Sequence, residues 1–351
     1  MFRLKKHHER DWLENLLIDS VEKALPDLED TAENRKLLSD IFKNSIPRII
    51  DTLEKHISKK SNILLWYHRR QTKKFKRKLL KLWKKPIKSL EIFIALNLEQ
   101  GENIANSLKE KKVESLKFAT LLRIHARAVQ IALEVLELIK NGFADGALAR
   151  WRSLYELSII ATFLGKNDDN LCQRYLDYKL VEDYYEAIEY QKHCDDLGYT
   201  KLSDDEFAEL ETTINKLKVK YGSDFTKQYG WIGEVLPKNN WNFKGIEETI
   251  DFKYLRPFYK LANNYVHSGA KGFLFKMGTY YQDEIMLAGP SNYGFADAGQ
   301  NTAHSLLLTT MTLTNFESYF EDVAFILLSE RLLDKLSIEF VETQKQFEDE
   351  L

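Results

Sequence analysis

Hydrophobic residues recur every three or four positions along most of the chain, which is the spacing of amphipathic α-helices. Only 6 prolines and 15 glycines interrupt 351 residues, and so few helix-breaking residues favour long helices. The fold class predicted is therefore all-α, a multi-helix bundle. The pattern predicts helices over residues 12–24, about 30–53 with a kink at Pro47, 90–109, 113–141, 144–165, 169–195, 203–221 and 298–328, followed by a charged C-terminal helix.

Two stretches depart from the helical pattern. Residues 222–250 are rich in glycine and asparagine and are expected to form loops, and residues 269–300 contain many of the remaining glycines. Between those glycines, Phe273 to Met277 and Thr279 to Leu287 have the composition of extended strands. A small β-hairpin insertion near residues 272–288 is therefore expected.

The composition restricts the class of protein. Hydrophobic residues make up 44% and charged residues 30% of the chain, which is a globular rather than a disordered profile. Cys172 and Cys194 are too few for a disulfide framework and fit a reducing compartment. The apolar run from Ser305 to Leu328 contains Asn315 and Glu317, so it is expected to be a core helix and not a membrane span. These features predict a soluble, cytoplasmic protein without an integral membrane segment.

Metal binding is not expected from the cysteines and histidines. Cys172, His193 and Cys194 provide one adjacent pair and one distant residue, whereas structural zinc sites need four ligands in paired short spacings. Phosphate-binding and dinucleotide-binding motifs are also missing from the sequence. No metal and no cofactor are therefore predicted.

A strongly basic segment precedes the regular helices. Residues 55–90 contain no aspartate or glutamate, and aromatic residues such as Trp66 and Phe75 lie between the cations. Such a cluster can bind nucleic acid or an anionic membrane surface, or it can be the solvated face of a helix. The candidate nucleic-acid-binding residues are Arg69, Arg70, Lys73, Lys74, Lys76, Arg77 and Lys78.

A short helix from Pro257 to Ser268 presents an unusual set of polar groups. Pro257 suits the first position of a helix, and Gly269 is placed to end it. At spacings of three, four and seven residues, one face carries the polar side chains Lys260, Asn263, Asn264 and His267. A cation, two amides and an imidazole could bind a phosphodiester and move a proton near neutral pH. Alternatively, His267 could simply stabilise the helix end through the helix dipole.

Two segments together resemble a bacterial domain family of unknown function. They are Arg152-Ser153-Leu154-Tyr155-Glu156 and Tyr259-Lys260-Leu261-Ala262-Asn263-Asn264-Tyr265-Val266-His267. The family carries an R-S-L-Y-E helix and a later Y-R-x-x-S-x-Y-V-H helix, and the resemblance extends over roughly residues 91–328. The second motif in turn resembles the HEPN superfamily, whose nucleases carry arginine and histidine four to six residues apart.

The resemblance implies a HEPN-like helical domain over residues 91–351, preceded by a basic helical region over residues 1–90. HEPN nucleases typically cut RNA without a metal at a cleft between two protomers, in toxin–antitoxin and phage-defence systems. By position, His267 matches the HEPN histidine, and Lys260 stands where arginine is expected. Lysine keeps the charge but lacks the planar, bidentate grip of arginine on phosphate. Asn263 stands where the family usually has serine.

Arg152 and Glu156 lie four residues apart on their helix. They could form an ordinary intrahelical ion pair, or Arg152 could supply a second cation while Glu156 orients His267 or Lys260. The predicted catalytic set is therefore His267, Lys260, Arg152, Glu156, Asn263 and Asn264. We expect a metal-independent RNA endonuclease acting as a bacterial toxin or antiviral defence effector. The alternative is a non-catalytic module that binds RNA, a nucleotide or a protein.

The partners expected from these assignments are RNA, a second copy of the chain or a larger assembly, and a regulatory protein from the same operon.

Overall fold

The computed structural model describes residues 32–112, 114–250, 252–267, 269–279, 287–314 and 320–349. Within these ranges the regular structure is helical, as the sequence predicts, and it contains no strand. The α-helices are α1 (Ala32–Leu82), α2 (Lys84–Glu110), α3 (Leu116–Lys140), α4 (Ala144–Lys166), α5 (Asp169–Leu197), α6 (Asp204–Tyr221), α7 (Phe243–Glu248), α8 (Arg256–Val266), α9 (Ala270–Leu274), α10 (Ala296–Thr314) and α11 (Phe320–Asp349).

The chain divides into two compact units, Met1–Phe75 and Lys76–Leu351. The described part of the first unit is the N-terminal portion of α1, which continues through Pro47 without a break in the helix. The helix predicted over residues 12–24 lies outside the described residues. The division predicted from the sequence, at residue 90, stays a prediction.

The core of the second unit is built around α3, α4 and α10, which pack closely on one another. Helix α2 packs against α3, α10 and α11, and α8 lies on the outer side of α4. Trp83, Trp151 and Phe163 are fully buried in this core. Burial of side chains of this size stabilises a fold by about 1.5–3 kcal/mol each. The packing of Trp151 and Phe163 therefore fixes the position of α4 independently of its contact with α8.

Local signals place the ends of several helices. Ser115 and Asp168 cap α3 and α5 by accepting hydrogen bonds from backbone N–H groups of the first turn, and Ser203 begins α6 with a capping box. Gly142 follows α3 with a φ of 88°. Gly165 lies inside the last turn of α4. A Cβ atom there would lie 2.5 Å from Cγ2 of Thr312, so the glycine permits the close approach of α10.

The predicted β-hairpin near residues 272–288 is wrong. The first proposed strand, Phe273 to Met277, begins inside α9 and continues as coil and turn. Most of the second, residues 280–286, lies outside the described residues. Two glycines of this region make close backbone contacts: a Cβ atom on Gly272 would lie 1.8 Å from the Asn264 carbonyl oxygen, and one on Gly294, whose φ is 85°, would lie 2.2 Å from the Met277 carbonyl oxygen.

The helix predicted over 298–328 falls partly outside the described residues. The described part contains α10 (Ala296–Thr314) and α11 (Phe320–Asp349), and α11 runs through residue 328 into the predicted C-terminal helix. Residues 315–319 between them lie outside the described ranges. No helix in the described ranges combines the length and apolar character needed to cross a bilayer.

A buried polar cluster joins three core helices. The His125 ring on α3 is 3% exposed, and its Nε2 atom lies 3.1 Å from Oγ1 of Thr310 on α10. Thr310 donates to Oδ1 of Asn97 on α2 at 2.7 Å, so it accepts from an Nε2–H group of a neutral imidazole. A Cβ atom on Gly101 would lie 2.4 Å from this ring. Burial lowers the pKa of His125 to about 4.

His125 should make the fold sensitive to acid. Its pKa is lower in the folded than in the unfolded chain, so the unfolded chain binds more protons between about pH 4 and 6.5, and stability falls as the pH falls through that window. Between pH 7.5 and 5 this group should account for about 2 kcal/mol of lost unfolding free energy. Urea unfolding of His125→Gln should lack that part of the loss, whereas His193→Gln, on an exposed histidine, should behave as wild type. An unchanged pH dependence in His125→Gln would contradict the prediction.

Candidate functional site

The two motif helices, α4 and α8, are joined by the guanidinium group of Arg152. Its Nε atom donates to Oδ1 of Asn263 at 2.5 Å. One terminal nitrogen donates to Glu156 at 3.0 Å, and the other lies 3.0 Å from the second Glu156 oxygen and donates to the Tyr259 hydroxyl at 2.9 Å. Three of the five N–H donors of Arg152 thus form hydrogen bonds.

Tyr259 closes this arrangement from the α8 side. Its hydroxyl donates to Oε1 of Glu156 at 2.8 Å, and its ring lies under the Arg152 guanidinium, 4.8 Å from Cζ to the ring centroid. Burial and the hydrogen bond to the Glu156 carboxylate raise the pKa of Tyr259 above its usual value. Arg152, Glu156, Tyr259 and Asn263 therefore form one closed hydrogen-bonded cluster, which we call the α4–α8 junction.

A second carboxylate lies behind the junction. Glu247 on α7 is 1% exposed, accepts from the Tyr155 hydroxyl at 2.5 Å, and pairs with Arg256 at the start of α8. The Tyr155 ring packs against that of Tyr259, with centroids 5.5 Å apart. Burial raises the pKa of Tyr155 to about 12. Tyr155 thus connects the R-S-L-Y-E helix to α7, and Arg256 connects α7 to α8.

The remaining predicted residues of α8 face away from the junction. Lys260 and His267 are exposed, and within the described residues neither side chain has a hydrogen-bonding or ionic partner. Asn264 donates to the Leu261 carbonyl oxygen of its own helix at 3.1 Å. Lys260 and His267 are seven residues apart, which places them on the same side of the helix at a separation of roughly 10 Å along its axis.

The six predicted catalytic residues therefore separate into two groups. Arg152, Glu156 and Asn263 lie together and satisfy one another. Lys260 and His267 are free to meet a ligand, and Asn264 lies with them but bonds to its own helix. A polyanion could be held by Lys260, and the imidazole of His267 could exchange a proton with it. Among the described residues, no three histidine, cysteine, aspartate or glutamate side chains lie close enough to hold a metal ion. The catalytic assignment of all six residues stays a prediction.

The predicted nucleic-acid-binding residues lie on one uninterrupted helix, α1. Arg69, Arg70, Lys73 and Lys74, in the first unit, are exposed, and Cζ of Arg70 lies 5.2 Å from the centroid of the exposed Trp66 ring. In the second unit Arg77 and Lys78 are exposed, whereas Lys76 donates to Oδ1 of Asn141 at 3.0 Å. None of the seven forms an ion pair with any described residue.

The structure also shows candidate residues that the sequence analysis missed. Phe273, Leu274 and Phe275 are 67%, 74% and 49% exposed, and they lie six to eight residues after His267. The composition of Phe273 to Met277 predicts a strand, so the joint exposure of these side chains could not be anticipated. The participation of Tyr259 could have been inferred, since it is the first residue of the second motif.

Comparison with known protein families agrees with the resemblance of the two motif segments to a family of unknown function. A family of unknown function (DUF5677) matches residues 118–283, a range that contains both motif segments. No curated protein and no solved structure gives a significant match. The prediction of a helical family of unknown function is therefore confirmed over the matched range, and the further resemblance to HEPN nucleases stays a prediction.

Replacement of Arg152 should loosen α8 from α4. Arg152→Ala leaves the Glu156 carboxylate without its counter-ion in a site where the two side chains are 21% and 27% exposed, so we expect a loss of about 2–3 kcal/mol in unfolding free energy. Arg127→Ala removes an arginine whose pair with Glu134 is more exposed and should cost under about 0.5 kcal/mol. Equal, small losses in both variants by urea denaturation would show that the junction does not hold the helices together.

Proposed function

We propose that this protein binds RNA, and that the cationic face of α1 supplies much of the attraction. The observation that carries the proposal is the absence of any carboxylate partner, among the described residues, for Arg69, Arg70, Lys73, Lys74, Arg77 and Lys78. Exposed cations without a counter-charge are free to replace the counterions around a phosphate backbone, which favours binding through the release of those ions.

The distribution of charge along the chain supports the proposal. Fourteen of the 51 lysines and arginines lie between Lys55 and Leu90, where no acidic residue is present. The formal net charge of the whole chain is −2, so the rest of the chain carries an excess of acidic groups. A local field of one sign on an otherwise acidic protein directs a polyanion to that segment and away from other surfaces.

An exposed aromatic residue lies among these cations. Trp66 is 59% exposed, and Arg70 is positioned over its ring. Aromatic rings next to cations can stack on the unpaired bases of single-stranded nucleic acid. RNA is preferred over DNA as the ligand because the motif of α8 resembles that of nucleases that act on RNA.

Removal of two cations from α1 tests this proposal. Lys73→Ala/Lys74→Ala should weaken binding of single-stranded RNA roughly tenfold at about 0.1 M salt, and should lower the slope of log affinity against log salt by about 1.4. Lys216→Ala/Lys218→Ala changes the net charge equally on exposed positions of α6 and should have no effect. Fluorescence anisotropy with a labelled oligonucleotide measures both quantities.

Three results would overturn the proposal: no RNA binding by the wild-type protein, equal binding by the two double variants, or binding to anionic lipid vesicles but not to RNA. In the last case α1 would be a membrane-surface helix.

A metal-independent RNA endonuclease is a second candidate function, favoured by the exposure of Lys260 and His267 on one side of α8. His267 would accept the proton of a ribose 2′-hydroxyl, whose oxygen attacks the adjacent phosphorus while the bond to the 5′-oxygen breaks and water protonates that oxygen. Lys260 would offset the charge of the phosphate. Arg152 and Glu156 would be positioning residues, because they hold α8 in place through the junction. Toxin or antiviral defence activity is the biological role that this chemistry would serve.

Substitution of His267 distinguishes cleavage from binding. The wild-type protein should cut RNA in the presence of EDTA, and His267→Ala should slow the reaction at least about a hundredfold with RNA affinity unchanged within twofold. His193→Ala, on an exposed histidine of α5, should cut at the wild-type rate. Cleavage that persists in His267→Ala, or that needs a divalent metal, would exclude this mechanism. RNA binding with no cleavage by either protein would leave binding as the function.

A further inference from the structure

A second acid-free stretch lies around α8 and α9. Residues 252–282 contain no aspartate or glutamate, and they include Lys253, Arg256, Lys260, Lys271 and Lys276. Its described part covers residues 252–267 and 269–279, which contain both helices. Arg256 pairs with Glu247 and Lys276 lies near Asp145, so the cations available to an approaching phosphate group are Lys253, Lys260 and Lys271.

Exposed apolar side chains lie within this cationic stretch. Val266 is 46% exposed, and Phe273, Leu274 and Phe275 are 67%, 74% and 49% exposed. Burial of a phenylalanine or leucine side chain stabilises a protein or a complex by about 1.5–3 kcal/mol. These three consecutive side chains do not gain that stabilisation in the fold, because they remain exposed to solvent. Contiguous exposed apolar surface with a polar surround is typical of a binding surface.

The conformation of α9 is held by a close contact with α8. Gly272 is buried, and a Cβ atom there would lie 1.8 Å from the Asn264 carbonyl oxygen. The Lys276 ammonium group donates to the Gly272 carbonyl oxygen at 3.3 Å. The Gly272 backbone contacts α8, and the side chains of Phe273, Leu274 and Phe275 are exposed to solvent. The contact at Gly272 therefore holds the backbone next to which the two aromatic rings lie.

This combination of groups matches one kind of ligand. Single-stranded RNA presents phosphates, which the lysines attract, and unpaired base faces, which stack on aromatic rings. Duplex RNA hides its base faces inside the helix. An acidic protein could meet the cations and cover the rings with its apolar side chains, but such a contact does not require an aromatic face, whereas base stacking does.

We propose that Phe273 and Phe275 are base-stacking residues for single-stranded RNA, on the segment that follows Lys260 and His267 in the chain. The inference rests on RNA binding as the function and adds the substrate class: RNA that is unpaired at the point where it meets α8. In this arrangement the RNA bases stack on the two phenylalanine rings, and the sugar–phosphate backbone of the RNA runs along the exposed face of α8.

The test compares single-stranded and duplex RNA in the same anisotropy assay. Phe273→Ala/Phe275→Ala should bind single-stranded RNA about ten- to a hundredfold more weakly, with duplex binding and the salt dependence unchanged. Phe273→Leu/Phe275→Leu keeps the apolar character without an aromatic face and should show a similar loss, whereas Phe273→Tyr/Phe275→Tyr should bind as wild type. Leu197→Ala/Tyr199→Ala replaces side chains that are 59% and 60% exposed elsewhere and serves as the control.

The outcomes separate this inference from the proposed function. If the wild-type protein binds no RNA, the proposed function fails. If binding depends on Lys73 and Lys74 but is unchanged in the phenylalanine variants, RNA binding stands and base stacking at α9 is wrong. If the alanine pair changes the sedimentation coefficient of the protein and leaves RNA affinity unchanged, the surface is an interface between copies of the chain and the inference is overturned.

Discussion

The guanidinium group of Arg152 is the contact on which the arrangement of the candidate site depends. It lies on α4, a helix fixed by the buried rings of Trp151 and Tyr155, and it reaches Asn263 and Tyr259 on α8. Helix α8 is short, and helices of about three turns are marginal without tertiary contacts. The junction, together with the pair between Arg256 and Glu247, therefore fixes the position from which Lys260 and His267 meet solvent.

The sequence predicts the helical class because its evidence is local and repeated. Hydrophobic spacing and the scarcity of prolines each act over a few residues, so the predicted ranges 113–141 and 203–221 agree with α3 and α6 to within three residues. The conformation of residues 272–279 is set differently, by the approach of the Gly272 backbone to Asn264. A glycine required by a contact and a glycine required by a turn are indistinguishable in a sequence, and the predicted hairpin was wrong for that reason.

The same limit applies to the candidate site. Helical spacing predicts that Lys260 and His267 lie on one side of α8, but a polar face is wide, and spacing does not show which of its edges meets another helix. Asn263 lies at the edge that contacts Arg152, and Lys260 lies at the edge that contacts solvent. The pairing of Arg152 with Glu156 follows from their separation of four residues, whereas the closure of that pair by Tyr259 requires the packing of α8 on α4.

The hydrogen bonds that Arg152 makes within the fold affect whether bound RNA would be cleaved. Cleavage without a metal needs positive charge close to the phosphate in the transition state, and a guanidinium that already serves Glu156, Tyr259 and Asn263 would have to give up hydrogen bonds to provide it. Lys260 supplies charge as a flexible point rather than as a planar pair of donors. Lys260, His267 and the cations of α1 therefore remain available to a ligand, whereas Arg152, the planar cation of the predicted catalytic set, is committed to the fold. RNA binding needs none of those contacts to break, and for this reason we place it ahead of cleavage.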